Sequence, residues 1–237
     1  MNDKSLTCKY MVRKMLTYSR AISQENIEKR KKFAEKHESW KNDDWGKVIF
    51  SDESFLCAKK GGHKIIRLLE GENIDDDEFV DADDDKNKIL VWGAICDERV
   101  VDLIWINGTI NQQVYENEIL EKSVKTLAFL DDENGIFMLD NAPPHWAKTT
   151  TKWFQDNKIK KMFWPPQSPD LNPIENIWAF IKNEIWKCKI NSKEDVWVKT
   201  QEAWNSPKCN ERIWASCKSL PNRIQLLKEK QGKRINY

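Results

Sequence analysis

The chain has 237 residues, a formal net charge of +1, and 40% hydrophobic against 32% charged residues. These values are typical of a soluble globular protein with one large core or with one core plus appendages. No apolar run approaches the roughly 18 residues that cross a bilayer. Residues 1–14 carry scattered charges and lack the apolar centre of a secretory signal. The sequence therefore predicts an intracellular protein with no membrane partner.

The six cysteines form no C-x-x-C pair and have no regular spacing to the three histidines. This arrangement argues against a zinc site and, inside a cell, favours reduced thiols. The twelve tryptophans are many for this length, and their simplest interpretation is core packing.

The near-neutral net charge hides an uneven distribution. Residues 70–85 contain ten acids and no lysine or arginine, so the rest of the chain is distinctly basic. Basic residues gather in segments 29–36, 158–161 and 228–234. A basic surface is thus available to the phosphates of a nucleic acid, although each run alone is more often a solvated helix face or tail.

The first half of the chain predicts one helix and two hairpins. Residues 23–36 have helical composition, with Ser23 as the N-cap. The apolar run 47–52 predicts a buried strand that ends in a carboxylate, and residues 55–59 predict a second strand in a hairpin with it. The acidic segment 70–85 has no periodicity and is predicted as a loop. Another hairpin is predicted from the apolar runs 88–96 and 100–106.

The second half alternates helices and strands. Residues 111–130 have helical spacing, 135–140 predict a buried strand that again ends in a carboxylate, and the prolines at 143 and 144 open a helix to about residue 156. A short strand follows at 159–164. The proline-rich segment 164–170 predicts a rigid connector, which leads to a helix capped by Asn172, with Pro173 in its first turn, that extends to about residue 187. Helices at 193–205 and 211–218 and a basic tail complete the chain.

This order of elements predicts an α/β fold, a mixed sheet flanked by helices. Ribonuclease-H-like folds are built this way, and other α/β folds fit the pattern as well. We expect a lead-in region at 1–45, a ribonuclease-H-like core at 46–190 with an acidic insertion at 70–87, and a helical extension at 191–237.

Three carboxylates stand where this fold gathers ligands. Asp52 and Asp140 each follow a predicted strand, and Glu175 lies in the first turn of a helix. Phosphodiester cleavage by two Mg²⁺ ions requires hard oxygen ligands of this kind. Each residue also has a structural interpretation, since strand-end aspartates often cap turns and Glu175 could complete a capping box with Asn172. Spacing alone leaves these alternatives open.

Four segments add a family resemblance. They resemble the Tc/mariner superfamily of DDE transposases, and the most specific of them is the last. The segments are 50–54 (FSDES), 91–95 (VWGAI), 139–145 (LDNAPPH) and 164–178 (WPPQSPDLNPIENIW). The glutamate as third acid, at this distance from the second, resembles the Tc-type branch.

The resemblance implies a catalytic triad of Asp52, Asp140 and Glu175. The two aspartates are expected to hold two Mg²⁺ or Mn²⁺ ions, and Glu175 to complete the site and help position the nucleophilic water. Asn141 and His145 match the motif after the second acid and are candidates to support the site or contact DNA. We do not count Glu53 as a ligand, because successive strand residues face opposite sides.

The resemblance also implies hydrolysis at transposon ends, followed by attack of the freed 3′-hydroxyl on target DNA at TA steps, which deform readily. The expected partners are double-stranded DNA and a second copy of the chain, and the expected location is the nucleus. The acidic segment could help dimerisation or could be a solvated loop.

Relatives begin with paired helix-turn-helix modules, and residues 1–21 are too short to supply them. We therefore expect weak DNA binding or cleavage without preference for transposon ends. Two alternatives remain at this point: a catalytically inactive DNA-binding or assembly protein derived from a transposase, and a ribonuclease-H-type enzyme that acts on RNA–DNA hybrids.

Overall fold

A five-stranded mixed sheet forms the centre of the computed structural model, which describes residues 21–58, 87–97, 99–124, 135–140, 142, 145 and 147–237. The strands are β1 (Val48–Leu56), β2 (Ile89–Cys96), β3 (Arg99–Ile106), β4 (Ile136–Leu139) and β5 (Lys160–Phe163). Their order is β3-β2-β1-β4-β5. The pairs β1–β2 and β2–β3 are antiparallel, whereas the pairs β1–β4 and β4–β5 are parallel.

Helices cover both faces of this sheet. They are α1 (Gln24–His37), α2 (Asn42–Trp45), α3 (Gln112–Val114) with a π-helical continuation (Tyr115–Leu120), α4 (Lys148–Asp156), α5 (Ile174–Ile185), α6 (Lys193–Trp204), α7 (Pro207–Lys218) and α8 (Leu220–Glu229). No helix in the described ranges combines the length and apolar character needed to cross a bilayer. The α/β prediction of a mixed sheet flanked by helices is confirmed.

The alternation of side chains along the strands divides the core into two parts. Val48 and Phe50 of β1 contribute to a cluster with α1, α5, α6, α7 and α8, whereas Ile49 contributes to a cluster on the other face with the π-helical segment and α4. In β4, Met138 joins the first cluster, and Leu139 the second. Even-numbered residues of these two strands therefore face α5.

The predicted hairpin between residues 47–52 and 55–59 is wrong, because β1 continues unbroken to Leu56. The polar residues at 52–54 do not end the strand, since β2 supplies an antiparallel partner for each of them. Asp52 pairs with Gly93, and Glu53 with Trp92. Residue 59 lies outside the described residues.

Most predicted helices are confirmed, with shifted boundaries. Ser23 caps α1, where its hydroxyl accepts a hydrogen bond from the Asn26 N–H at 3.2 Å. The predicted helix 111–130 is described only to residue 124. Helix α4 begins at Lys148 rather than at the prolines at 143 and 144, which are not among the described residues.

Between the predicted helix 211–218 and the basic C-terminal residues lies a further helix that was not predicted separately. This helix is α8, which buries Leu220, Ile224 and Leu227 in the same cluster as the sheet. These three residues form an apolar stripe at helical spacing. The acidic segment 70–85 lies outside the described residues, and the three-part domain division stays a prediction.

Candidate active site

Strand register brings two of the predicted acids together. In the parallel ladder of β1 and β4, Val48 pairs with Ile136 and Ile49 with Phe137. Asp52 in β1 and Asp140, one residue after the end of β4, each lie four residues beyond the first of these pairs, which places them near each other at the same end of the sheet. Alternation along β1 gives the Asp52 side chain the face of the sheet that carries α5, where Trp178 contacts it. The ladder thus accounts for the proximity of two aspartates that are far apart in sequence.

Asp52 lies in an environment that disfavours its negative charge. Burial, followed by the charges of Glu175, Glu53 and Asp140, raises the pKa of Asp52 to about 8. Its Oδ2 accepts a hydrogen bond from the indole Nε1 of Trp178 at 3.2 Å. The influence of Glu175 on Asp52 connects the third predicted acid with the first.

Asp140 is held by two donors. Its Oδ1 accepts a hydrogen bond from the Ala142 N–H at 2.8 Å and lies 2.6 Å from Nδ1 of His145. Burial alone would raise the pKa of Asp140, but these two contacts and the charge of His145 lower it. The pKa of Asp140 is therefore lowered, whereas the pKa of Asp52 is raised. Opposite pKa shifts of neighbouring acids are typical of functional sites.

His145 lies between two carboxylates and is only 5% exposed. Its Nδ1 faces Asp140, its Nε2 lies 3.5 Å from Oε1 of Glu53, and its ring packs on Tyr115 at 4.2 Å between centroids. Burial alone would lower the pKa of His145, but the two carboxylates raise it to about 9. Both ring nitrogens are thus directed into the site. Asn141, the other predicted supporting residue, lies outside the described residues.

Glu175 lies near the start of α5 and does not form the capping box. The helix begins at Ile174, one residue later than predicted, with Pro173 at the N-cap position. The Asn172 N–H donates to the Pro169 carbonyl oxygen at 3.1 Å, so it is engaged elsewhere. Burial raises the pKa of Glu175, and the charge of Lys182 opposes that shift.

Glu53 is closer to the site than its strand position predicted. Among the described residues, one group of acids has ligand oxygens that all lie within 4.8 Å of one another, and its members are Asp52, Glu53 and Asp140. Glu53, which was not counted as a ligand because successive strand residues face opposite sides, therefore reaches the other two carboxylates with its longer side chain. Glu175 stands outside this group.

The cluster has the properties of a divalent cation site. Carboxylate oxygens are the ligands that Mg²⁺ and Mn²⁺ prefer. Three such groups at this distance repel one another, and after burial and the charge of Glu175, the charges of Glu53 and Asp140 also contribute to the raised pKa of Asp52. Oε1 of Glu53 is buried, and beyond the 3.5 Å contact with Nε2 of His145 it has no hydrogen-bond partner. A cation would satisfy this oxygen and offset the repulsion, so the residues present fit a metal.

Two buried arginines, which sequence reasoning missed, hold the connector that leads to Glu175. Arg30 of α1 donates to both carboxylate oxygens of Asp170 at 2.9 and 2.6 Å, and to the Ser168 hydroxyl at 2.6 Å. Arg223 of α8 donates to the Asp170 carbonyl oxygen at 3.2 Å and to Oδ1 of Asn176 at 3.0 Å. We call these two residues the arginine clamp. Their only sequence signal was a basic residue within an otherwise ordinary helix pattern.

Comparison with known proteins agrees with this geometry. The chain matches the family model of the DDE superfamily endonucleases over residues 47–205. It is 26% identical to the Tcb1 transposase of Caenorhabditis briggsae and 27% identical to the Tc1 transposase of Caenorhabditis elegans, in each case over 91% of this chain and 80% of the relative.

Solved structures share the fold. The catalytic domain of the Mos1 mariner transposase matches with a TM-score of 0.70 at 17% identity, over 91% of this chain and 98% of that one. A pre-cleavage Mos1 transpososome matches with a TM-score of 0.74 at 18% identity, and there the chain spans 65% of the longer Mos1 chain. At such identities the likeness concerns the fold, which is ribonuclease-H-like. The chain belongs to the DDE superfamily endonucleases and is a relative of the Tc1-type transposases.

Proposed function

We propose that this chain is the catalytic part of a DNA transposase, with Asp52, Asp140 and Glu175 as its catalytic acids. The observation that carries the proposal is the proximity of Asp52 and Asp140, which belong to a group of carboxylates with ligand oxygens within 4.8 Å of one another. Strand register aligns Asp52 with Asp140, and the charge of Glu175 contributes to the raised pKa of Asp52. The Tc1 and Tcb1 relatives are transposases, which supports the same conclusion.

Asp52 and Asp140 would hold two Mg²⁺ or Mn²⁺ ions, with Glu175 completing the ligand set and Glu53 as a further candidate. When bound, such ions neutralise charge on the phosphate and make a bound water more acidic. Structures of the Mos1 catalytic domain have been determined with Mg and with Mn. The oxygen-only donor set of this chain suits the same class of ion.

The surrounding residues have distinct tasks in this proposal. His145 orients Asp140 and offsets part of its charge, while Trp178 engages one oxygen of Asp52. The raised pKa of Glu175 makes it a better hydrogen-bond acceptor for a water or a 3′-hydroxyl than a solvated glutamate. The tight placement of His145 between carboxylates favours support of the site over contact with DNA.

The proposed reaction has two displacements at phosphorus. Water attacks a phosphodiester at the transposon end, the bond from phosphorus to the 3′-oxygen breaks, and that oxygen leaves as a hydroxyl. The freed 3′-hydroxyl then attacks a phosphodiester of target DNA, loses its proton, and displaces the 3′-oxygen of the target strand. Neither displacement forms a covalent bond to the protein.

Double-stranded DNA is the proposed partner, and a homodimer the proposed assembly. Mos1 has been observed in a paired-end complex and in a strand transfer complex. In this chain, a groove of about 780 Å³ between α5 and α7 runs from Asn176, next to Glu175, past Lys187, Lys208 and Arg212. Its cations suit a phosphate backbone. Since the DNA of a eukaryotic cell lies mainly in the nucleus, we propose a nuclear location.

Nicking of supercoiled plasmid in Mn²⁺ tests the proposed activity. Asp140→Asn replaces a negatively charged carboxylate by a neutral amide, which is a weaker ligand for a divalent cation. We therefore expect the rate of nicking to fall at least about a hundredfold, equivalent to about 2.7 kcal/mol of transition-state stabilisation. Asp156→Asn is the matched control, because Asp156 is exposed at the end of α4, and it should nick like the parent.

Undiminished nicking by Asp140→Asn would refute the proposed site. A parent that binds DNA but never nicks it would favour the inactive binding or assembly protein. Faster cleavage of an RNA–DNA hybrid than of a DNA duplex would favour a ribonuclease-H-type enzyme.

A further inference from the structure

Trp178 connects the helix that carries Glu175 with the strand that carries Asp52. It lies one turn after Glu175 in α5 and is 1% exposed. Its indole Nε1 donates to Oδ2 of Asp52 at 3.2 Å. Because Asp52 and Trp178 come from different elements, this hydrogen bond joins the sheet to the helix inside the candidate site.

Gly93 makes room for this indole. It is the β2 residue that pairs with Asp52. A Cβ atom at residue 93 would lie 2.6 Å from Cη2 of Trp178, closer than Cβ atoms approach other atoms in proteins, and 3.0 Å from Cη2 of Trp204, which is a tight contact. The absence of a side chain on Gly93 therefore allows the edge of the Trp178 ring to approach the strand that pairs with Asp52.

Trp204 of α6 covers the other side of the ring. The two indoles are stacked, with 5.7 Å between centroids and 24° between planes. A ring confined by a strand on one side and by a second indole on the other has few alternative rotamers. Its N–H is consequently fixed in direction, which is the property required of a group that orients another.

We propose that Trp178 is a positioning residue for Asp52: its N–H fixes one carboxylate oxygen, so that the other is presented to divalent cations and Asp140. This inference rests on the proposed function, in which Asp52 is a metal ligand. Groups that hydrogen-bond to metal ligands typically change metal affinity or activity 10- to 100-fold when they are removed. Trp178 acts through Asp52 and touches no reacting atom.

A titration of the whole chain with Mn²⁺ distinguishes a positioning role of Trp178 from a role in packing alone. The electron paramagnetic resonance signal of the free ion reports how much Mn²⁺ is bound. Trp178→Phe keeps an aromatic ring but removes the N–H donor, and we expect the dissociation constant for Mn²⁺ to rise about 10-fold or more. Trp45→Phe is the matched control, because Trp45 is also 1% exposed and its Nε1 has no hydrogen-bond partner. That variant should bind Mn²⁺ within about twofold of the parent, even where its melting temperature falls.

An isosteric replacement of Trp178 controls for loss of folding, because it removes the N–H donor without changing the shape of the side chain. β-(3-Benzothienyl)alanine at position 178 retains the shape of the indole but carries sulfur in place of N–H. We expect this variant to melt like the parent and to bind Mn²⁺ as weakly as Trp178→Phe. Parental Mn²⁺ affinity in the isosteric variant, or equal losses in Trp178→Phe and Trp45→Phe, would overturn the positioning role.

Asp140→Asn in the same titration distinguishes the two proposals. If it loses Mn²⁺ affinity while Trp178→Phe retains it, the metal site stands and the positioning role fails. If Asp140→Asn binds Mn²⁺ as the parent does, the proposed metal site itself fails.

Discussion

The candidate site joins two regions that hold their acids in different ways. Asp52 lies in β1 and Asp140 directly follows β4, and the ladder of backbone hydrogen bonds between these two strands aligns the segments that carry them. Glu175 lies on α5, which follows a proline-rich connector without regular structure. The arginine clamp supports that connector through side-chain contacts from α1 and α8. One region depends on backbone register, and the other on side chains brought from both ends of the described chain.

Because of this difference, we expect the two regions to respond differently to mutation. A substitution on the surface of α1 or α8 leaves the β1–β4 ladder intact, because that ladder consists of main-chain groups. Loss of a buried arginine, in contrast, leaves the connector without its anchor and Asp170 without its counter-charge. We therefore expect the position of Glu175 to be the more vulnerable of the two, and the predictions below probe each region and the link between them.

The largest expected effect comes from the arginine clamp. Arg30→Met removes a fully buried guanidinium and leaves the Asp170 carboxylate, itself only 8% exposed, without its partner. Loss of one member of a buried ion pair typically costs about 3–5 kcal/mol. We expect a decrease of that size in the free energy of unfolding, measured by urea denaturation.

Lys29→Met is the matched control for this experiment. Lys29 precedes Arg30 in α1, and its ion pair with Glu25 is exposed, with 41% and 76% of the two side chains accessible. Exposed pairs contribute about 0–1 kcal/mol. Similar losses in Lys29→Met and Arg30→Met would show that α1 as a whole, rather than the clamp, determines the stability.

A smaller effect is expected at Asn172, which links the two regions directly. Its Nδ2 donates to the Ser51 carbonyl oxygen at 3.4 Å, next to Asp52, and its Oδ1 accepts from the Ile174 N–H at 3.4 Å. Asn172→Ala removes both contacts from a buried position, which should cost about 1–2 kcal/mol in urea denaturation. Asn205→Ala, which removes an exposed contact to the Gln201 carbonyl oxygen, should cost less than about 0.5 kcal/mol. Equal costs would argue against a specific link.

The last prediction concerns the pH dependence of stability in the absence of divalent cations. The pKa of Asp52 is about 8 in the folded chain, against an ordinary value of 3.8. Between these values the unfolded chain has released a proton that the folded chain retains, so Asp52 lowers stability as the pH rises from about 4 to 8. Asp52→Asn has no such proton. We expect its melting temperature to exceed that of the parent by a few degrees at pH 8, and by almost nothing at pH 4.

Differential scanning calorimetry in a chelator measures this difference, with Asp156→Asn as a control that should follow the parent at both pH values. A melting temperature of Asp52→Asn that stays below the parent at pH 8 would contradict the unfavourable charge environment of Asp52.

The sequence predicted the sheet-borne acids better than the contacts around them. Asp52 and Asp140 were predicted because each follows a run of apolar residues, a pattern local in sequence. The continuation of β1 past Asp52 was not predicted, since it requires β2 as a partner and polar residues at 52–54 resemble a turn. Glu53 was misplaced because alternation describes where a side chain starts, whereas the length of glutamate decides where its carboxylate ends.

Glu175 was predicted from a motif, but the supports of α5 were not. Arg30, Arg223 and Trp178 act through contacts across more than forty positions of sequence, and no periodicity encodes such contacts. Gly93 offered a signal within a strand otherwise rich in large side chains, since glycine there often marks close approach of another group. Helix α8 was not predicted separately, although Leu220, Ile224 and Leu227 lie at helical spacing.

A crystal of the chain soaked in Mn²⁺, with diffraction recorded at a wavelength where manganese scatters anomalously, tests the central claim most directly. We expect an anomalous peak between the carboxylates of Asp52 and Asp140, with the Glu175 side chain directed towards it. Anomalous density elsewhere with none between the two aspartates, or a Glu175 side chain turned away from the occupied site, would contradict it.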